Sequence, residues 1–253
     1  MSWDPAQYLR YDNERSQPTR DLIAAIGDLN PTEIVDLGCG TGNSTALLAH
    51  RWPDASLIGV DGSTEMLDQA DQSGLHAVWQ EADIATWQPA SPVDLIFSNA
   101  ALHWLDDHDA LFRQLVAGLR PGGMLAVQMP YNFSQPSHTL ISEIAKESHW
   151  AERLSNVIRP SPVHPPEHYL SLLEPLVSTV RVWTTTYFHV LFGERPVAQW
   201  TGGATLRPVI AALGNDADEF VNEYALRLGK AYPIRGDGST VLPFTRMFIL
   251  ATR

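Results

Sequence analysis

Two hydrophobic periods alternate along the first half of the chain. Short, nearly unbroken apolar runs fall at 34–37, 56–61, 77–80 and 93–104, the last leading into a loop, and a fifth follows at 124–129. Such runs read as strands buried on both faces of a parallel sheet. Helical spacing separates them. Ala46-Leu47-Leu48-Ala49 opens a helix that Asn43, Ser44 or Thr45 can cap, 63–70 is a second helix, and 110–119 is a third, stopped by Arg120-Pro121-Gly122-Gly123. Helices between the first three strands and again between the fourth and fifth predict an α/β fold with a mostly parallel sheet. Upstream, Pro18 is placed to begin a helix with Ser16 as its cap and Leu22, Ile23 and Ile26 along one face. Downstream, 130–176 is rich in proline, serine and histidine with one helix near 140–146, and 193–240 carries helices near 197–201 and 216–231.

The stretch Asp36-Leu37-Gly38-Cys39-Gly40-Thr41-Gly42 joins the first strand to its helix. Glycine there permits positive φ and lets a ligand lie against bare backbone. A strand–glycine loop–helix unit holds a nucleotide-like molecule at the carboxyl edge of a parallel sheet. The third glycine comes one residue earlier than in the dinucleotide fingerprint Gly-x-Gly-x-x-Gly. Asp36 would repel a pyrophosphate but suits a ligand bearing an ammonium group. Asp61 ends the second strand, 21 residues beyond Gly40, where an acid hydrogen-bonds ribose hydroxyls; it could equally cap the next helix. Asp83 ends the third strand, where a carboxylate can accept from an adenine amino group, with Ile84 against the ring.

Composition narrows the partners. The chain has 253 residues, 44% hydrophobic and 18% charged, which suits one globular domain with or without a lid. Its net charge of −12, from 17 basic and 29 acidic residues, argues against nucleic acid and against an anionic membrane surface. Only Lys146 and Lys230 are lysines, so a local arginine pocket for carboxylates or phosphates stays open. Cys39 is the single cysteine; wedged between glycines, it reads as a small loop residue rather than a nucleophile. His138, His149, His164 and His168 show no metal-ligand spacing, and no metal is expected. Without a basic leader or a long apolar run, a cytoplasmic protein with no obligate protein partner is expected.

Taken together, the glycine loop, Asp61, Asp83, the fourth strand with His103-Trp104, and Leu119-Arg120-Pro121-Gly122-Gly123 before an apolar strand resemble the class I S-adenosylmethionine-dependent methyltransferases. The resemblance implies a Rossmann-like seven-stranded sheet, mostly parallel with its last strand antiparallel. Residues 177–190 and 246–252 would then be its closing hairpin. It also implies a single domain over 1–253: a helical cover at 1–30, a core sheet at 31–192 and 241–253 with 130–176 partly inserted, and a helical lid at 193–240. Asp36, Gly38, Gly40, Gly42, Asp61, Gly62, Met66, Asp83, Ile84, Asn99, Ala100 and Trp104 would hold S-adenosylmethionine, with Tyr11 and Gln17 closing over it.

A closer resemblance extends over essentially the whole chain. Trp3, Tyr8-Leu9, Glu14-Arg15-Ser16, Asn43-Ser44-Thr45, Leu125-Ala126-Val127-Gln128-Met129-Pro130, Trp183, Thr185-Thr186-Tyr187, Trp200 and Thr205-Leu206-Arg207-Pro208 look like the trans-aconitate 2-methyltransferase family. The implied substrate is a small polycarboxylate, methylated on a carboxylate that needs no general base. Arg207, Arg15 and Arg246 would clamp the remaining carboxylates. Tyr8, Trp200 and His103 would supply donors or walls, with Tyr131 and Tyr187 beside them. Three alternatives are weighed against this reading: another small or carrier-linked acid as acceptor, a nicotinamide-dependent oxidoreductase, and a non-catalytic cofactor-binding protein.

Overall fold

The computed structural model describes residues 12–147, 149–158, 160–202 and 205–253, with side chains from Ser16 onward. Its sheet contains β1 (Glu33–Leu37), β2 (Ser56–Asp61), β3 (Val78–Glu81), β4 (Val93–Asn99), β5 (Leu119–Pro130), β6 (Thr179–Phe192) and β7 (Ser239–Thr252). The seven strands run in the order β3-β2-β1-β4-β5-β7-β6. β1 pairs in parallel with β2 and β4, as do β2 with β3 and β4 with β5, whereas β7 runs antiparallel to β5. This is the class I methyltransferase sheet that the family resemblance implies.

Burial explains why the central strands carry unbroken apolar runs. Ile34, Val35, Leu37, Leu95, Ile96, Phe97, Leu125, Ala126 and Val127 are completely covered, so neither face of these strands meets water. Asp94 ties the strands' beginnings together. Its Oδ2 accepts from the Thr32 amide and hydroxyl and from the Glu33 amide at 2.9, 2.7 and 3.0 Å. Its Oδ1 accepts from Arg120 at 2.7 Å, and Arg120 also pairs with Glu33 at 2.7 Å.

The chain divides into two compact units. One is the sheet unit, Asn13–Pro130, Pro162–Thr185 and Arg246–Arg253. It contains α1 (Asp12–Ala25, from Asn13), α2 (Asn43–Arg51), α3 (Thr64–Asp71), α4 (His108–Ala117) and α7 (Pro166–Leu173). The other takes in Tyr131–Ser161 and Thr186–Thr245. It contains α5 (Pro136–Ala145), α6 (Ala151–Leu154), α8 (Pro196–Gly202), α9 (Arg207–Leu213) and α10 (Ala217–Ala231). Its core gathers Ile141, Ile144, Trp150, Leu154, Val209, Leu213, Phe220 and Leu228. Inside it, the Tyr224 hydroxyl donates to the Ser137 carbonyl at 2.7 Å, and the Ser137 amide donates to the Tyr232 oxygen at 3.2 Å. The two tyrosines thereby satisfy buried backbone at the start of α5, which has no side-chain cap of its own.

Several local expectations change. α1 is already formed at Asp12 and carries Pro18 inside it, rather than starting there. α2 is capped by Gly42, at φ 84°, with no side-chain cap. The span 130–176 holds α5, α6 and α7 rather than one helix, and α9 is additional. Pro136, Pro166 and Pro208 look like breakers in the sequence, yet each lies in the first turn of a helix, where a missing N–H costs nothing. α7 and α9, at eight and seven residues, are too short for a clear 3.6-residue period.

Candidate active site

The glycine loop is built against the neighbouring strands. Gly38, Gly40 and Gly42 have φ of 80°, 54° and 84°. The Gly38 and Cys39 amides both donate to the Val60 carbonyl, at 2.7 and 3.1 Å. A β-carbon on Gly38 would lie 2.2 Å from that of Ala101. Gly59 and Gly42 together make room for the Trp79 ring, which would meet added β-carbons at 2.4 and 3.0 Å. Cys39 is buried, and burial with Asp36 and Asp61 nearby pushes its thiol well up, away from thiolate chemistry.

Asp36 is fully buried. Ser44 and Thr45, expected as helix caps, instead donate their hydroxyls to its Oδ2 at 2.6 and 2.7 Å. Its Oδ1 is buried with no hydrogen-bond partner. Burial raises the carboxyl to about 6, against the two hydroxyls, which favour the charged form; the Asp61 charge adds to the rise. A half-satisfied buried carboxylate beside a bare glycine loop fits a cationic group.

Asp61 ties the glycine loop to the approach to α3, and the cap expected as its alternative role is taken by Ser63. Its Oδ2 accepts from the Gly40 amide and its Oδ1 from the Ser63 amide, each at 2.9 Å, while Ser63 caps α3 through the Met66 amide. Each carboxylate oxygen keeps a second acceptor position. Beside it, an open cleft is lined by Gly62, Glu81, Ala82 and Asp83. Asp83 is exposed there and accepts from the Ala85 amide at 3.0 Å. Ile84 approaches the place of a Gly38 β-carbon to 3.4 Å, and Met66 is exposed at the start of α3. The carboxylates, bare backbone and cleft fit the polar and adenine ends of S-adenosylmethionine.

The end of β4 is strained. Ala100 has φ 54°, uncommon for a residue with a β-carbon, and its amide donates to the Gln128 carbonyl at 2.9 Å. A single 3₁₀ turn, Leu102–Trp104, follows. It presents Trp104, 63% exposed, with the His103 ring centred 4.5 Å away. His108 holds this turn from behind. Its Nε2 lies 3.0 Å from the Leu102 carbonyl and its Nδ1 2.5 Å from the Tyr169 hydroxyl. Since a carbonyl only accepts, Nε2 carries the proton and Tyr169 donates to Nδ1. Burial favours this neutral ring. Sequence reasoning missed His108, because its partner Tyr169 lies 61 residues away.

A family model described as a methyltransferase domain matches residues 34–123. The chain is 43% identical over 253 residues to the trans-aconitate 2-methyltransferase of Azoarcus sp., covering 100% of this chain and 99% of that protein. It is 46% identical over 260 residues to that of Streptomyces avermitilis, covering 99% and 96%. The chain belongs to the trans-aconitate 2-methyltransferase family. Its fold is shared with the plantazolicin methyltransferase BpumL, solved with a desmethylPZN analog and SAH, at a TM-score of 0.52 and 17% identity, covering 99% of this chain and 92% of that one.

Within this family member, the remaining expected residues fall in different places. The sheet unit gathers the glycine loop, Asp61, Asp83, Ile84, Asn99, Ala100, His103, Trp104 and Arg246. Arg246 is only 8% exposed, on β7 opposite Pro130. Gln17 is exposed on α1 and donates to Asp21 at 2.7 Å. Tyr8, Tyr11 and the Arg15 side chain lie outside the described residues. Arg207 and Trp200 belong to the helical unit. Arg207 is exposed as the first residue of α9, and the Trp200 ring stacks on His189 at 4.6 Å.

The structure also groups Asp109, His164 and His168, which the sequence left scattered; their ligand atoms lie within 4.8 Å of one another. His168 pairs with Asp109 at 2.5 Å and stacks on His164, ring centres 4.1 Å apart and planes 23° apart. A bound ion lies in the plane of each imidazole that holds it. Two nearly parallel stacked rings share no such point nearby, so one ring would have to turn before both could bind one ion.

Proposed function

We propose that this protein transfers the methyl group of S-adenosylmethionine to a carboxylate of trans-aconitate, giving a monomethyl ester and S-adenosylhomocysteine. The observation that carries the reading is identity of 43–46% over essentially the full chain to enzymes bearing that name. The aligned span takes in 131–161 and 186–245, beyond the residues 34–123 that the methyltransferase-domain model matches. A fold relative solved with SAH supports the cofactor.

In this reading Asp36 and the glycine loop take the amino-acid end of the cofactor, Asp61 and Gly62 the ribose, and Asp83, Ile84 and Met66 the adenine. Asn99, Ala100 and Trp104 line the transfer point, with Tyr11 and Gln17 as cover. Once bound, the cofactor supplies an electrophilic sulfonium methyl. An acceptor carboxylate is already ionised at neutral pH, so no side chain need remove a proton. One of its oxygens forms the new O–CH₃ bond as the S–CH₃ bond breaks and its electron pair stays on sulfur. The protein's own work is to strip water from that oxygen and aim it. Arg246, Arg207 and Arg15 would hold the other carboxylates, with His103, Tyr8 and Trp200 as donors or walls, and 193–240 would act as the lid.

The test is a methyl-transfer assay with labelled S-adenosylmethionine and a panel of small di- and tricarboxylates. Selective turnover of trans-aconitate supports the reading. Cofactor binding with no turnover of any small acid overturns the substrate and points to larger, carrier-linked acids.

A further inference from the structure

Gln128 is a polar residue inside an otherwise apolar strand. It is fully buried, and neither its amide nitrogen nor its amide oxygen has a hydrogen-bond partner. Its register partner on β4 is Asn99, whose Oδ1 is likewise buried and unpartnered. Register places these groups on one face of the sheet. Asp36 pairs with Phe97, Phe97 with Ala126 and Ala126 with Leu250; two residues along, Asn99 pairs with Gln128 and Gln128 with Phe248. Alternate residues share a face. Asn99 and Gln128 therefore stand on the Asp36 face, nearer the carboxyl ends of β4 and β5. Two residues further still, Pro130 pairs with Arg246, bringing the buried guanidinium onto this same face. Phe248, between them on β7, is fully buried and stacks on Trp183 at 5.0 Å with the rings 10° apart.

A buried amide with both ends unsatisfied destabilises a protein, and a leucine of similar size would remove the penalty. On β4 and β5 this face is apolar at Leu95, Phe97, Met124 and Ala126, and Asn99 and Gln128 break that pattern. Their position is where a parallel α/β sheet receives its ligands. The groups also match an organic acid. A guanidinium and an amide N–H donate to carboxylate oxygens, and the amide oxygens accept from the guanidinium or from a trapped water.

We infer that Gln128, with Asn99 beside it on β4 and Arg246 on β7, seats a carboxylate of the acceptor acid and sets which acids are accepted. The inference rests on the carboxylate acceptor proposed above. It makes Gln128 a positioning residue rather than part of the cofactor site, and it accounts for a polar side chain that folding alone disfavours.

The experiment compares wild type with Gln128→Leu and Gln128→Glu in the full chain. For Gln128→Leu, KM for trans-aconitate is expected to rise about tenfold or more, the loss of a hydrogen bond to a charged group. Affinity for S-adenosylhomocysteine should stay within about twofold, and the Tm of the ligand-free protein should hold or rise. Gln128→Glu, which opposes like charges, should lose more activity than Gln128→Leu. An unchanged KM overturns the inference, as does a fall in Tm together with loss of S-adenosylhomocysteine binding, which marks a packing role. If wild type methylates no trans-aconitate, the substrate reading fails separately, and thermal shift with a panel of polycarboxylates decides this site. Stabilisation of wild type that Gln128→Leu loses supports it; no stabilisation of wild type by any acid overturns it.

Discussion

Gly38 and Ala101 meet so closely that a β-carbon on Gly38 would lie 2.2 Å from the β-carbon of Ala101. The glycine loop after β1 is thereby keyed to the turn after β4. The two ends of the cofactor reading, the amino-acid cradle and the transfer point, share this contact. It makes two neighbouring glycines unequal, although both have positive φ.

Gly38→Ala forces either the loop or the Ala101 turn to move. It is expected to weaken S-adenosylhomocysteine binding by roughly tenfold or more and to lower Tm, measured by calorimetric titration and thermal melting. Gly40→Ala has nothing within 4 Å of the added carbon. It should cost only the left-handed backbone term, about 1–2 kcal/mol of stability. Equal effects at the two positions would remove the keying role of Gly38.

Asp36 predicts a pH dependence. Burial raises its carboxyl from 3.8 to about 6 in the ligand-free protein. An acid whose folded value is raised stabilises the fold below its unfolded value. That contribution, on the order of 3 kcal/mol, is lost as pH rises from about 4 through 6. Ligand-free stability should therefore fall over that window, and Asp36→Asn should flatten the profile. If the ionised carboxylate receives the cofactor's ammonium, S-adenosylhomocysteine affinity should fall as pH drops below about 6 in wild type, and stay weak and flat in Asp36→Asn. Parallel profiles for the two proteins would take Asp36 out of the cofactor site.

Arg207 stands exposed at the start of α9. Under the polycarboxylate reading, Arg207→Ala should raise KM for the acid by about tenfold or more, the loss of a charged hydrogen-bond donor, with cofactor affinity near wild type. Steady-state kinetics against the acid, combined with cofactor titration, separates the two. Loss of cofactor binding alone would place Arg207 elsewhere.

Asp94 is a stability prediction. Burial opposes its charge, but hydrogen bonds from Thr32, Arg120 and Glu33 outweigh that and hold its carboxyl down at about 2. Asp94→Ala strands those donors and should cost about 2 kcal/mol at neutral pH. Because the folded value is depressed, the wild-type advantage is present above about 4 and fades as pH falls through 2. Denaturant melts at several pH values measure it. A constant gap down to pH 2 would mean the effect is packing rather than charge.

The candidate site was proposed from signals that are local. The strand-end acids Asp36, Asp61 and Asp83 and the glycines at 38, 40 and 42 lie at fixed offsets from apolar runs, and β4 and β5 announce themselves by composition. The short helices α6, α7 and α9 were hidden, since four to eight residues make no period and, in α7 and α9, a first-turn proline mimics a breaker. Gln128 did leave a trace, as the polar residue inside 124–129, but a strand pattern alone does not say whether such a residue is satisfied.

By itself the sequence determined the succession of the first five strands and the bare-backbone loop after β1, because backbone conformation and hydrophobic period are written residue by residue. Tertiary structure decided what each polar group faces. Ser44 and Thr45 turn from caps into partners of Asp36 because the first turn of α2 lies against the Asp36 carboxylate. His108 becomes the brace of the Leu102–Trp104 turn because Tyr169, 61 residues on, closes against it. Gln128, Asn99 and Arg246 come onto one face only through the register of β4, β5 and β7. Burial and pairing across such separations belong to the packed sheet, and no local stretch encodes them.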